Sequence, residues 1–218
     1  MRTPWYDRVR KGGKLTVYGD PLLEKGVWHG ILELTLKELN TELTKNKINL
    51  QLESSPDAPT VTGGGANVSV KPVDGKYQAK YGDMKKTGEL ASRRTHGRGL
   101  PWASEDKKKG KGSMRMEQFH VLVPARPQHA PTHERGRAPK SATVGAPVLK
   151  VILAHELIHA CGLDNDEHTD DDIFVGVPDI VRGENPDDDR FKVLHQSKVI
   201  ITPPLILSQT VAKLKEIW

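Results

Sequence analysis

Apolar residues recur with two different periods along this chain, and each period predicts a different element. Between residues 28 and 43 the spacings are three and four, as in a helix with one apolar face: Trp28, Leu32, Leu36, Leu39 and Leu43. Residues 14–18, 48–53 and 67–73 are short stretches of β-branched or alternating residues, so they predict strands. The first third therefore predicts a strand, a long helix and two further strands.

The second half of the chain predicts one more strand and two helices. Residues 116–123 have a strong strand pattern, and the two prolines shortly after them predict a position at a sheet edge. An unbroken apolar helix is predicted over 148–160, with Pro147 in its first turn and Gly162 just past its end. Residues 205–218 predict a C-terminal helix.

Two polar segments interrupt this pattern. Residues 82–113 have little apolar periodicity and predict a long, partly disordered loop, and 124–143 predict a second loop. Residues 85–115 hold ten Lys or Arg against three acids, a net charge of +7. Such a run suits a solvated loop, and it also makes nucleic acid a candidate partner. Residues 164–189 hold eleven acids against one Arg, a net charge of −10.

Composition places the 218-residue chain among ordinary globular proteins. Hydrophobic residues make up 36% and charged residues 28%, and the longest apolar run is too short to span a bilayer. A single cysteine, Cys161, excludes an internal disulfide framework, and no secretory h-region is visible. These features predict a cytoplasmic protein without a membrane partner. We expect two parts, residues 1–163 and a small C-terminal subdomain of residues 164–218.

The chemistry of this chain is concentrated in one pentapeptide of the predicted apolar helix. His155 and His159 are four residues apart and lie on one helical face, so both imidazoles can reach one ion. Zinc accepts neutral imidazole, and a catalytic zinc site keeps one position for water. Glu156, beside the first histidine, is placed to act as the catalytic base.

Spacing alone leaves the third ligand open. The candidates after the helix are Asp164, Asn165, Asp166, His168 and the run Asp170, Asp171 and Asp172. Imidazole and carboxylate both bind zinc, whereas an asparagine amide is a poor ligand.

At this point the chain resembles the metzincin clan of metallopeptidases, and its matrixin-like branch in particular. The clan pattern HExxHxxGxxH is matched through Gly162, but Asn165 occupies the third histidine position. His168 follows three residues later, then Thr169, and Pro178 comes ten residues after the histidine, as in matrixin-like members. The resemblance implies a three-residue insertion, with His155, His159 and His168 as the zinc ligands.

The same resemblance implies an α+β, zincin-like fold. It would consist of a mixed twisted sheet, a long N-terminal helix, an active-site helix and a small C-terminal subdomain ending in a helix. Residues 116–123 would be the edge strand that pairs with an extended substrate. Two family features are missing: no methionine follows Met116, so Gly176 aligns with the methionine of the turn under the zinc, and no cysteine-switch propeptide is visible.

The remaining polar residues receive weaker assignments. If His168 is not a ligand, Asp164 or Asp171 would replace it, and Glu184 would indicate a glutamate-ligand zincin. His120 and His195 are predicted to be structural or exposed, and three loop histidines carry no hypothesis: His96, His129 and His133. The aspartate runs 170–172 and 187–189 make calcium a minor candidate. Cys161 is expected to be a small buried residue.

The predicted function is hydrolysis of protein or peptide substrates by a zinc-dependent endopeptidase. Tyr81 is the last tyrosine, so none after the motif can stabilise the oxyanion, and zinc or backbone N–H groups would do so. One alternative is a DNA-associated protease of the SprT-like type, which the basic residues 85–115 favour. The other is a catalytically silent, zinc-stabilised binding module.

Overall fold

The chain forms four helices and ten strands within the residues that the computed structural model describes. These are residues 3–61, 64–93, 96–106, 108, 110–128, 144–169, 172–174 and 206–218, with the backbone alone at 179–181, 192–195 and 198–201. In chain order the elements are α1 (Asp7–Gly12), β1 (Lys14–Gly19), α2 (Ile31–Lys45), β2 (Gln51–Ser54), β3 (Val68–Val73), β4 (Gly75–Tyr81), β5 (Met84–Leu90), β6 (Arg98–Glu105), β7 (Met114–Pro124), α3 (Ala146–Ala160), β8 (Asp179–Val181), β9 (Lys192–His195), β10 (Lys198–Ile201) and α4 (Ser208–Lys215).

The main sheet has the strand order β2-β1-β3-β7-β6. The pairs β1–β2, β1–β3 and β3–β7 are parallel, and β6 pairs antiparallel with β7 at the edge. Two smaller units complete the strands: the β4–β5 hairpin and the three-stranded sheet β10-β9-β8. A mixed sheet with several helices makes this an α+β protein, as the sequence predicts.

The helices α2 and α3 cover one face of the main sheet. Alternate residues of the strands, such as Val17, Val70 and Val121, are buried in the same core cluster as the apolar faces of both helices. Full burial of one such side chain contributes about 1.5–3 kcal/mol. The β4–β5 hairpin lies over the opposite face, where a second cluster includes Trp102 and Leu122. The sheet is therefore covered by helices on one side and in part by the hairpin on the other.

Both ends of the chain hold the C-terminal end of α3. The indole N–H of Trp5 donates to the carbonyl of Ala160 at 2.7 Å, and that of Trp218 donates to the carbonyl of Cys161 at 2.8 Å. The last carbonyls of a helix have no partner within the helix, so these two bonds satisfy them. Leu214 of α4 is buried in the main core beside α3. The predicted division into residues 1–163 and 164–218 stays a prediction.

Periodicity identified most helices and strands of the core, but two predictions are wrong. Residues 116–123 belong to β7, which lies between β3 and β6, so they are not the edge strand; β6 occupies that edge. Residues 82–113 are not one irregular loop, because they contain all of β5 and all of β6. Among the described residues, no helix is long and apolar enough to cross a membrane.

Candidate metal centre

The helix α3 carries the first two histidines into the core. It is apolar around nearly its whole circumference, and eleven of its fifteen residues are buried, which is typical of a helix inside a domain. His155 and His159 lie one turn apart on one face, with their ring centroids 5.1 Å apart. The helix therefore presents two imidazoles from a rigid, buried element.

The chain returns to this face through a sharp turn after α3. Gly162 has φ +109°, a left-handed conformation that favours glycine, and the short 3₁₀ turn Asn165–Glu167 follows. The carboxylate of Asp164 accepts the N–H of Glu167, and the carboxylate of Glu167 accepts the N–H of Asp164, which together form a capping box. The ammonium of Lys213 on α4 donates to the carbonyls of Glu167 and His168. These contacts hold His168 against α3.

The three histidines converge on one point. One nitrogen from each of His155, His159 and His168 lies within 4.8 Å of the others. The Nδ1 of His155 donates to the carbonyl of Ile173 at 2.9 Å, and that of His159 donates to the carbonyl of Leu163 at 2.9 Å. Because a carbonyl can only accept, each Nδ1 carries the proton and each Nε2 keeps a lone pair. Such outer carbonyls orient metal-binding imidazoles.

The separation of two of these nitrogens fits a tetrahedral ion. The Nε2 atoms of His155 and His168 are 3.3 Å apart. Two nitrogen ligands at about 2.0–2.1 Å from a tetrahedral zinc ion stand about 3.3–3.4 Å apart. Three neutral imidazoles also form one of the ligand sets of catalytic zinc. The donor set and its spacing therefore fit zinc.

Burial keeps the three imidazoles neutral. It lowers the pKa of His155 to about 3, and the positive charge that His159 would carry lowers it further. Burial likewise lowers the pKa of His159 to about 4 and lowers that of His168. Neutral imidazole is the form that binds a metal ion, so the site is set for a cation at neutral pH.

Glu156 lies beside the triad in a pocket made by two glycines of the edge strand region. Its side chain is 4% exposed, and burial raises its pKa to about 8 while the N–H of Gly97, which donates to the carboxylate, lowers it. A Cβ at Gly97 would lie 2.7 Å from Cγ of Glu156 and 2.7 Å from the carbonyl oxygen of Leu122. At Gly99 a Cβ would lie 3.5 Å from Oε2 of Glu156. Glycine thus permits the carboxylate to approach the backbone.

A phenylalanine forms the apolar floor of the site. The ring of Phe174 is fully buried, and its centroid lies 5.3, 4.8 and 4.7 Å from those of His155, His159 and His168. Gly176, which aligns with the family methionine, lies outside the described residues. Within the part of the chain that the structure describes, Phe174 is therefore the residue that lies under the three imidazoles.

Asp172 holds this floor in place. It is fully buried, and its carboxylate accepts the hydroxyl of Thr169 at 2.7 Å and the N–H groups of Phe174 and Leu207 at 2.8 Å each. Its oxygens are thus engaged by protein donors, which gives it a structural role rather than a calcium-binding one. Residues 170, 171 and 187–189, the other acids of the calcium hypothesis, lie outside the described residues.

An open cavity of about 450 Å³ joins the triad to the edge strand. His155, Glu156, His159 and His168 line it together with residues 96–101 at the start of β6. His96 is a lining residue that sequence reasoning missed, and its charge acts on His155. No periodic or motif signal marked His96, because it precedes a strand that was itself missed.

The other candidates lie away from the triad or outside the described residues. Asn165 and Asp164 line the cavity but belong to the capped 3₁₀ turn, and Asp164 does not join the group of histidines. His120 is on the opposite face of the sheet, and Cys161 is buried with its pKa raised to about 12 by burial. His195 is described by its backbone alone, and five residues named above fall outside the described residues: Asp171, Pro178, Glu184, His129 and His133.

Comparisons with protein-family models, with curated proteins and with solved structures found no match for this chain. The metzincin resemblance therefore rests on the residues of the motif and on the arrangement described above. It stays a prediction, and the function is argued from the site.

Proposed function

We propose that this chain is a zinc-dependent endopeptidase with a metzincin-like fold. The observation that supports this most strongly is the convergence of three imidazoles, two of them with Nδ1 bound to backbone carbonyls, beside a buried glutamate in an open cavity. A structural zinc site is closed by four protein ligands, whereas three ligands and a cavity leave room for water and substrate.

The substrate would lie along β6. This strand pairs with β7 on one side and forms the edge of the main sheet, and its first residues line the cavity. An extended peptide can add to such an edge through main-chain hydrogen bonds. Gly97 and Gly99 keep the cavity wall free of side chains, so a peptide bond can come close to Glu156.

Each group in the cavity would have its own role in the reaction. Bound zinc would supply a Lewis acid that polarises the scissile carbonyl and lowers the pKa of water. A bound cation would favour the carboxylate form of Glu156 against the effect of burial, and this carboxylate would take a proton from the attacking water and pass it to the leaving amine. His96 would donate a hydrogen bond to the carbonyl oxygen as negative charge develops there. Gly97 would hold the carboxylate of Glu156 in position through its N–H.

A peptide-library digestion tests this proposal. Zinc-loaded protein is incubated with the library and new termini are identified by mass spectrometry, beside Glu156→Gln and the control Glu33→Gln on the exposed side of α2. We expect a loss of about 100-fold or more for Glu156→Gln with an unchanged zinc content, and no change for Glu33→Gln. Equal cleavage by wild type and Glu156→Gln would refute the role of Glu156.

The silent zinc-stabilised module makes the opposite prediction. It would bind the same amount of zinc, show no cleavage of any peptide, and unfold when the metal is removed. The DNA-associated alternative requires a separate surface for nucleic acid. The predicted cytoplasmic location stays a prediction.

A further inference from the structure

The face of the main sheet under the β4–β5 hairpin is apolar in one half and polar in the other. The apolar half is the cluster that includes Leu100, Trp102 and Leu122. In the other half, the side chains at alternate positions of β3 and β7 are polar: Ser69, Lys71, Gln118 and His120. Of these four residues only Gln118 is buried, whereas Ser69 and His120 are half-buried and Lys71 is exposed, so the hairpin leaves the polar half of this face accessible.

A cavity of about 500 Å³ lies over this polar strip, and we refer to it as the sheet cleft. Its floor is the polar strip, and its walls include Tyr77 and Tyr81 of β4 and residues 58–61 of the preceding loop. The metal centre lies on the opposite face, which the helices cover. The two cavities are therefore separated by the sheet.

The floor of the sheet cleft offers more hydrogen-bond donors than acceptors. Nε2 of His120 lies 3.2 Å from Oε1 of Gln118, and because that oxygen can only accept, the imidazole donates. The amide NH₂ of Gln118, which is 5% exposed, remains as a donor at the floor. Lys71 and the hydroxyl of Ser69 add further donors. Such a set is suited to an oxygen-rich anion.

The charge around the sheet cleft is positive on balance, with three lysines against two aspartates. Lys71, Lys76 and Lys80 line it, and none of them has an ion-pair partner among the described residues. Two acids, Asp20 and Asp74, also line it, and Oδ1 of Asp20 is engaged by the N–H of Leu22.

The surroundings of His120 add to this positive potential. Burial lowers the pKa of His120 to about 4, and the charges of Lys86 and Lys71 lower it further. The ammonium of Lys86 lies 4.6 Å from the ring centroid of Trp102, next to His120. Lysines thus approach the floor of the cleft from the hairpin as well as from β3.

We propose that the sheet cleft binds the phosphate group of a nucleotide, either free or within a single strand of nucleic acid. Lys71 and the amide of Gln118 would contact the phosphate, and the tyrosine walls would offer rings against which a base can stack. Lys76 and Lys80, on the solvated face of β4, would attract further phosphates of a strand through their charge. This inference does not depend on the metal centre or on peptidase activity.

Binding of two probes to the zinc-loaded chain of 218 residues tests the proposal. Adenosine monophosphate is titrated by calorimetry, and a fluorescent ten-nucleotide oligothymidylate is titrated by anisotropy at 50 and 200 mM salt. We expect Lys71→Glu to lower the affinity for the probe that binds by about ten-fold or more, since it reverses a charge at the phosphate. Lys37→Glu, a matched exposed lysine on α2, should change binding less than two-fold.

A second variant separates a binding role from a folding role. Gln118→Leu keeps a similar volume and removes the amide donor, so it should also weaken binding while thermal unfolding stays cooperative. Binding of the mononucleotide supports a free nucleotide as ligand, and binding of the oligonucleotide alone supports a strand. Absence of binding by both probes, equal losses in Lys71→Glu and Lys37→Glu, or equal affinity for inorganic phosphate would overturn the proposal.

Discussion

Replacement of Phe174 is the change that best distinguishes the role of the apolar floor from that of the rest of the core. Its ring is fully buried and lies within 5.3 Å of each of the three imidazole centroids. Phe174→Ala removes the ring and leaves a cavity, which costs about 3–5 kcal/mol in a protein core. For a chain of this length, each kcal/mol of lost free energy of unfolding lowers the Tm by about 2–4 °C, so we expect a fall in Tm of roughly 6–20 °C.

The same replacement should weaken zinc binding in the folded protein. Without the ring, the three imidazoles lose the surface that holds their orientation, and we expect a loss of affinity of about ten-fold or more. Thermal unfolding gives the first quantity, and competition for zinc with a chromophoric chelator gives the second. Phe174→Met restores an apolar floor of similar volume, so it should cost less than about 1.5 kcal/mol and keep most of the zinc affinity.

Leu39→Ala is the matched control. Leu39 is 1% exposed and lies on α2 in the same core, so its loss should lower the Tm by a comparable amount. Leu39 is not among the residues that line the cavity of the triad, so the zinc affinity of the folded protein should be unchanged. If Phe174→Ala and Leu39→Ala affect zinc affinity equally, or if neither does, the assignment of Phe174 as the floor of the metal site is refuted.

Three further predictions concern other parts of the molecule. Asp172→Asn should lower the free energy of unfolding by about 1.5–3 kcal/mol in urea titrations, because a charged acceptor for three donors is lost; an unchanged midpoint would count against this role. Gly97→Ala should lower peptide cleavage at least about ten-fold without loss of zinc, since its Cβ would overlap Glu156, whereas Gly12→Ala, with open space around it, should not. Burial and two nearby lysines lower the pKa of His120 to about 4, so the unfolded chain binds the proton more readily than the folded chain. The free energy of unfolding should therefore fall as the pH is lowered from 6.5 to 4, and it should fall less in His120→Gln. Equal pH dependence of the free energy of unfolding in the two proteins would contradict this prediction.

The parts of the fold that could be predicted are those with one apolar and one polar face, or with a long apolar run. The leucines of α2 recur at helical spacing, and α3 is apolar for more than three turns, so both helices were identified within three residues of their start. The strands β4, β5 and β6 were missed for a physical reason. The outer face of the hairpin is solvated, and its inner face has short or isolated apolar residues such as Ala79 and Leu90, so no period emerges.

The strand β7 was recognised, but its place in the sheet was wrong. Phe119, Val121 and Val123 face the helices, while Leu122 faces the hairpin cluster, so the C-terminal half of this strand is apolar on both faces as interior strands are. The prolines that suggested an edge position lie at or beyond its end. Strand order depends on contacts between distant segments, and these are not encoded in the period of one segment.

In the candidate site, the residues that local spacing marks could be predicted, and those that only long-range contacts bring in could not. The i, i+4 spacing brought His155 and His159 together, and the motif resemblance indicated His168. Phe174 and His96 reach the site through a tertiary fold, from a loop and from the start of a missed strand. Neither residue type is diagnostic of a metal site at those positions, so the sequence alone did not indicate them.

Zinc content per chain is the measurement that tests the central claim most directly. Mass spectrometry of purified wild type, His155→Ala, His168→Ala and the control Asn165→Ala reports whether the three histidines are the ligands. We predict about one zinc ion per chain in wild type and Asn165→Ala, and none in the two histidine variants. Full zinc content in His168→Ala, or none in reconstituted wild type, would contradict a three-histidine zinc site.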